Sequence, residues 1–211
     1  MKLKFINLVY IIFKFLFSFV RLLKLINICR RFKATILSAI IYKEFKSCGI
    51  NFSIFPPFYI LGHKNIVIGD NFFSFKGLRM ETYTKHLNNN YMPKLIIGNN
   101  VSINFDCHIA CINEIIIGDN VLMASKVFIT DHFHGEINKS VSQIPPSKRN
   151  LFTKGPVVLE ESVWLGEGAI IMPNVTIGKF SIVGANSVVT KSFPSYSVIA
   201  GNPAILIKTI Q

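Results

Sequence analysis

Aliphatic side chains recur at every sixth position near the C-terminal end of the chain: Leu159, Leu165, Ile171, Ile177, Val183 and Val189. An α-helix repeats its buried face about every 3.6 residues and an amphipathic strand at every second residue, so neither gives this stride by itself. A fixed short period marks a repeat architecture. The fourth position after each aliphatic residue is also small or apolar: Val163, Ala169, Val175, Ser181, Ser187 and Phe193. Glycine follows the aliphatic residue at Leu165-Gly166, Ile177-Gly178 and Val183-Gly184. Short flat strands that turn a corner and repeat account for all three features. The aliphatic residue points inward, and the glycine lets the backbone bend or approach a neighbour closely.

The stride reaches further back. Ile97, Ile103 and Ile109 hold it, and Ile117, Met123 and Ile129 resume it after a shift of two residues. Ile68-Gly69-Asp70-Asn71 is an outlying copy of Ile117-Gly118-Asp119-Asn120, and Ile97-Gly98-Asn99-Asn100 differs by one amide. Asp, Asn and Gly suit corners because they tolerate turns and bond their own backbone. Two interruptions divide the repeat. One runs from about Thr82 to Pro93 and is rich in Asn. The other runs from Asp131 to Gly155 and holds two histidines, Pro145-Pro146 and Lys148-Arg149. Insertions at a corner leave the stack intact because the stride resumes beyond them, and long loops on rigid scaffolds often carry function.

The N-terminal region is different material. Phe5 to Ile28 is strongly apolar, broken by Lys14, Arg21 and Lys24. On a helical wheel Asn7, Lys14, Ser18, Arg21, Lys24 and Arg31 fall on one side. The pattern predicts a basic amphipathic helical segment over 1–50, a mainly β domain over 51–207 with insertions near 82–93 and 131–155, and a tail at 208–211.

The pattern resembles the hexapeptide-repeat acyltransferases, similar to the maltose, galactoside and bacterial polysaccharide O-acetyltransferases, over about residues 60 to 207. The resemblance implies a left-handed parallel β-helix, acetyl-CoA as cosubstrate, a saccharide acceptor and a homotrimer with sites between neighbouring copies. Within Thr130-Asp131-His132-Phe133-His134-Gly135 it makes His132 the catalytic base. A sugar hydroxyl is a poor nucleophile at neutral pH, and histidine titrates where it can remove the hydroxyl proton during attack. Asp131 reads as a corner residue, since consecutive side chains of extended backbone face opposite ways. Asn104-Phe105-Asp106 resembles the segment that contacts acceptor in sugar acetyltransferases, which makes Asn104, with His134, an acceptor-binding candidate; a corner amide capping the backbone is the alternative for Asn104. An acidic acceptor residue of the galactoside enzymes falls near Ile112, so the acceptor expected here is a different one.

The C-terminal coils resemble the coenzyme A groove, which assigns cofactor contacts to Trp164, Gly166, Glu167, Gly184, Ala185, Lys191 and Lys208. Gly201-Asn202-Pro203-Ala204 closes the pattern. Relatives often carry Arg or Lys directly after it, where this chain has Ile205.

Charge and composition sharpen this picture. The net charge is +12, and residues 1–48 hold ten of the 23 Lys and Arg against the single acid Glu44, so +9 of the excess is local. The apolar run has three cations within it, which argues against a spanning helix, and no small-residue cleavage site follows it. A helix lying on an anionic inner leaflet through residues 1–48 is the expectation, with a cytoplasmic enzyme peripheral on that membrane; a helix packed on the β domain or between subunits is the alternative. Clustering of the charge in one apolar helix without a binding motif argues against nucleic acid. Four cysteines without an export signal fit reduced thiols. Cys107, His108 and Cys111 lack a second ligand pair, so no metal is expected there.

The functional expectation is CoA-dependent O-acetylation of a cell-surface polysaccharide, such as O-antigen, or of its lipid-linked precursor. The alternatives are a soluble acetyltransferase for a free sugar, antibiotic or amino sugar, and a metal-binding β-helix enzyme that needs three histidines converging across a subunit interface.

Overall fold

The computed structural model describes residues 2–136 and 138–211, and in it the six-residue stride becomes the lining of a parallel β-helix. Strands stack into three sheets that form the faces of a triangular prism. Sheet one runs through the strands Ser47–Cys48, Ile66–Ile68, Lys94–Ile97, Glu114–Ile117, Val157–Leu159 and Thr176–Ile177. Sheet two begins at Ser53–Ile54, and sheet three begins at Tyr59–Leu61. Leu159 pairs with Ile177, Leu165 with Val183 and Ile171 with Val189, so three six-residue steps complete one coil. All six side chains are fully buried, and the small or apolar residues four positions after them are buried too. The two-residue shift in the earlier coils arises because the sheet-three strand His108–Cys111 is longer and buries both Ile109 and Cys111.

Corners are held by polar ladders. Asn71, Asn100 and Asn120 take left-handed backbone, which Asn tolerates better than most residues. Asn51 donates to Asn71, Asn71 to Asn100 and Asn100 to Asn120, at 2.8–3.0 Å. Beside this column the side chains of Asp70, Asn99 and Asp119 accept from the backbone N–H of Ile50, Asp70 and Asn99. Glycine in these steps serves close approach: a Cβ on Gly178 would lie 2.2 Å from the Ser195 nitrogen of the next coil.

Both ends of the stack are covered, as solenoids require. At one end Phe45 packs on Phe52, and Phe52 stacks on Phe72. At the other, the strands Ser197–Gly201 and Ala204–Thr209 form an antiparallel pair at the end of sheet two. Strand pairing thus begins at Ser47 rather than at 51, and Lys208 and Thr209 belong to a strand rather than to a tail.

The N-terminal segment is one helix, α1 (Lys2–Ile41), about 60 Å long at ~1.5 Å per residue. Its C-terminal part is anchored: Ala34 and Ser38 are buried, and the Ser38 hydroxyl accepts from the Ile54 N–H at 3.0 Å. Every residue from Phe5 to Lys33 is exposed. Apolar side chains surround the helix over most of its length, leaving only a narrow polar line through Asn7, Lys14 and Ser18 before Arg21. The helix is long and apolar enough to cross a membrane by length and composition, where the sequence reading gave weight to its cations.

The two faces of one sheet-three strand give a direct test of this core. Ile171 is fully buried and Ile170 points outward. Ile171→Ala is expected to cost about 2–5 kcal/mol through lost burial and a cavity, and Ile170→Ala clearly less. Comparing thermal unfolding midpoints of the two variants checks this; equal midpoints would contradict the assignment of the inner face.

Candidate active site

The catalytic candidates lie where the chain leaves the stack. The sheet-three strand Phe128–Thr130 ends at a bend, and Asp131 turns into the corner of the coil beneath. Elsewhere a coil's N–H groups donate to carbonyls of the next coil, as Gly98 does to Ile117. The insertion removes that partner at the Ile112-Asn113 corner, and the Asp131 carboxylate replaces it. It accepts from the Ile112 N–H at 3.0 Å and from the Asn113 N–H at 2.8 Å, and the Cys111 thiol lies 3.3 Å away. Asp131 is 0% exposed.

The same carboxylate orients His132. Its Oδ1 lies 2.9 Å from His132 Nδ1, with the Thr130 hydroxyl at 3.3 Å from that nitrogen. An Nδ1–H donated to the carboxylate leaves the Nε2 lone pair as the ring's basic site. Among the described residues no hydrogen bond engages Nε2. The His132 side chain is only 9% exposed, with the Tyr83 ring edge-on to it at 6.1 Å between centroids. The extended-strand argument that separated Asp131 from His132 fails because the backbone bends between them. A carboxylate directly before histidine at the exit of a strand was the signal available.

A second polar cluster lies on the outer face of sheet three. Arg79 donates to both oxygens of Glu81, at 2.8 and 2.9 Å, and His108 Nε2 lies 2.8 Å from Glu81 Oε2. Glu81 is 3% exposed. Burial alone would raise its carboxyl, but the hydrogen bonds from Arg79 and His108 hold it below the ordinary value. Burial lowers His108, against the opposing pull of Glu81. Tyr83 lies between this cluster and His132: burial and the neighbouring Glu81 carboxylate raise its phenol, and its ring meets the imidazole edge-on. Nothing in the sequence pattern marked Arg79, Glu81 or Tyr83, which come from a coil outside the clear stride.

The insertions meet beside this site. The first forms a hairpin, Lys85–His86 against Asn89–Asn90. In the second, Phe133–His134 pairs with Leu151–Phe152, with a short helix α2 (Lys139–Ser142) between them; Ile137 lies outside the described residues. Tyr91 donates to the Leu151 carbonyl at 3.1 Å, and His86 Nε2 lies 3.2 Å from the Arg149 carbonyl. His134 is exposed and faces His86 at 5.8 Å, and burial with the neighbouring His86 and His132 lowers its pKa.

The remaining candidates divide between prism edges. Asn104, Gly166, Glu167, Gly184 and Ala185 follow sheet-two strands and lie along the edge between sheets two and three. Asn104 donates to the Met123 carbonyl at 3.0 Å, the corner-capping contact. Trp164 points outward beside this edge, 47% exposed, rather than forming a core wall. Glu167 pairs with Lys126 at 3.7 Å. Exposed Ala185, with the glycines, leaves room for close approach of a ligand to the backbone. Lys191 lies on His132's edge, between sheets three and one, with its ammonium 5.7 Å from the Phe193 ring centre. Lys208 pairs with Val198 at the end of the stack. One chain therefore does not bring His132 together with Asn104 or with the small-residue edge. Among the described residues no three His, Cys, Asp or Glu side chains cluster as a metal site within the chain. Burial pushes the Cys107 thiol up to about 11 and raises Cys111 further.

The bacterial transferase hexapeptide family (six repeats) matches residues 156–191. The WbbJ protein of Escherichia coli K12, assigned as a lipopolysaccharide biosynthesis O-acetyl transferase, is 42% identical over 72% of this chain and 76% of its own length. Among solved structures, a maltose O-acetyltransferase from Clostridium difficile 630 superposes with a TM-score of 0.53 at 25% identity, covering 87% of this chain and 88% of that one. The N-acyltransferase AntD from Bacillus cereus, in complex with dTDP and 3-hydroxybutyryl-CoA, has a TM-score of 0.67 over 82% of this chain and 87% of its own. At 24% identity its likeness is one of fold, the left-handed β-helix.

The outer cluster makes stability acid-sensitive. Glu81 is depressed, so its contribution is present above the unfolded carboxylate value and is lost as pH falls through its folded value. His108 is held below 6.5, so below that pH the unfolded chain takes up protons first and stability falls again. His108→Gln keeps a donor toward Glu81 and removes the second effect. The variant's thermal midpoint should fall less than wild type's between about pH 7 and pH 5; equal slopes would show that His108 does not titrate in this window.

Proposed function

The chain belongs to the hexapeptide-repeat acetyltransferases, and on that premise we propose that it O-acetylates a saccharide of a cell-surface polysaccharide, or its lipid-linked precursor, with His132 as general base. The Asp131–His132 contact at 2.9 Å carries this reading. A buried carboxylate with two backbone donors is placed to accept from Nδ1–H, which leaves Nε2 as the basic nitrogen, the arrangement a base needs. His132 Nε2 removes the proton of the acceptor hydroxyl as it attacks and holds that proton until the leaving group takes it. Asp131 stabilises the imidazolium in between. No covalent enzyme intermediate is required.

Coenzyme A supplies the acetyl group as a thioester. The small corners at Gly166, Gly184 and Ala185 fit its arm, since a Cβ on Gly166 would already lie 2.6 Å from the Ala185 nitrogen and the outer side of this edge is open. Trp164, Glu167, Lys191 and Lys208 complete the candidate set, with Asn104 and His134 on the acceptor side. Because the small-residue edge and the His132 edge are different edges of one prism, a neighbouring copy completes each site, in a homotrimer. The name of the WbbJ relative supports the polysaccharide class of acceptor. Exposed apolar α1, with its cations, supports attachment at the cytoplasmic face of a membrane, where lipid-linked saccharides are met.

Acceptor-dependent thiol release from acetyl-CoA should fall by ~10²-fold or more in His132→Ala. Unchanged rates would remove His132 from the mechanism. Co-assembly of His132→Ala chains with Ala185→Trp chains should restore part of the activity each lacks alone; no restoration would place the whole site in one copy.

Removal of residues 1–26 spares the buried Ala34 and Ser38. It should move the protein from the membrane to the soluble fraction, and unchanged fractionation would refute the membrane role of α1.

A further inference from the structure

A large cleft lies away from His132, where α1 meets the edge between sheets two and three. Its volume is about 1020 Å³. One wall is cationic: Arg30, Arg31 and Lys33 of α1 face it, with Lys76 across the cleft. No carboxylate lines it. The floor is aromatic. Phe73 meets Phe75 edge-on at 4.8 Å, Phe75 stacks on Phe105 at 4.5 Å, and Phe55 closes on Phe73 at 5.7 Å. These rings lie on the outside of the β-helix, and Phe105 remains 37% exposed.

Four cations above an apolar floor match one ligand chemistry: a hydrocarbon chain that ends in phosphate. Two neighbours make the match more specific. Toward the N-terminus α1 continues as bare apolar helix, so a hydrocarbon leaving the cleft would run beside it into a bilayer. Phe105 directly follows Asn104, so a saccharide beyond the phosphate would lie on the acceptor edge. We propose that this cleft holds the phosphate and the first isoprenoid units of a polyprenyl-phosphate-linked saccharide, delivering the acceptor from the membrane. The inference rests on the lipid-linked form of the proposed acceptor and names the residues that recognise it.

Binding of the full-length chain to phosphatidylcholine vesicles doped with geranylgeranyl diphosphate tests it. Comparison arms carry phosphatidylglycerol at equal charge, and soluble pyrophosphate serves as competitor. Wild type should prefer the prenyl diphosphate vesicles, and Arg31→Ala with Lys76→Ala should lower that affinity by about tenfold or more. Phe75→Ala should weaken it too, while pyrophosphate competes poorly. All three positions lie outside the buried core. Arg30→Glu is a second, independent variant, and binding equal to wild type in it and in the double variant overturns the proposal. So does equal affinity for phosphatidylglycerol, which would assign the cations to bulk anionic lipid. Acetylation of a soluble sugar that depends on His132, without any prenyl preference, removes the cleft's role and leaves the acetyltransferase reading standing. Prenyl-selective binding that His132→Ala retains supports the cleft independently of turnover.

Discussion

Coil-on-coil stacking is the constraint from which the rest of the molecule follows. Each backbone group of a strand bonds the coil above or below it, so the strands can be as short as two residues and still be fully paired. The prism encloses an apolar column only a few side chains wide, and every sixth residue must fill it. That requirement admits aliphatic residues at one position, small or apolar residues four places on, and little else. Over the first four coils the edge between sheets one and two is held by a column of Asn side chains rather than by a core. Polar residues at the corners and apolar residues on the inner faces therefore stabilise the same stack in different ways.

The active-site candidate grows out of one of the two places where an insertion interrupts the stack. When the chain departs after Thr130, two backbone N–H groups of the corner below lose their natural acceptors. Asp131 supplies the missing oxygens, and in doing so is fixed so firmly that it can orient an imidazole. Repair of the fold and orientation of the His132 ring are thus one interaction. The neighbouring Glu81 cluster is a contrasting case, a charged group held on an outer sheet face by a bidentate arginine and a histidine. Its ties to His132 run through the Tyr83 ring and through the charge of His108.

Much of this was legible in the sequence, and the part that was not has physical causes. The aliphatic stride from Ile97 to Val189 is a direct image of the column, because each inward position sees the same surroundings. His132 was visible because it opens an insertion. Asp131 was misplaced by an alternation rule that holds only while backbone stays extended. Arg79 and Glu81 lie on one coil and His108 on the next, and their meeting depends on strand register across the insertion at residues 82–93. The polar residues of α1 gave the impression of a two-sided helix. In the structure the apolar side chains run nearly all the way around it, and only its last turns touch the β domain.

The hydrogen bonds between the two insertions tie together segments that lie on different coils. His86 and Tyr91 belong to one, Arg149 and Leu151 to the other. The coils below and above keep their own register without either segment. A chimera that kept this scaffold while exchanging these insertions would therefore have to transplant both segments as a matched pair, since either one alone would face a foreign partner across these contacts.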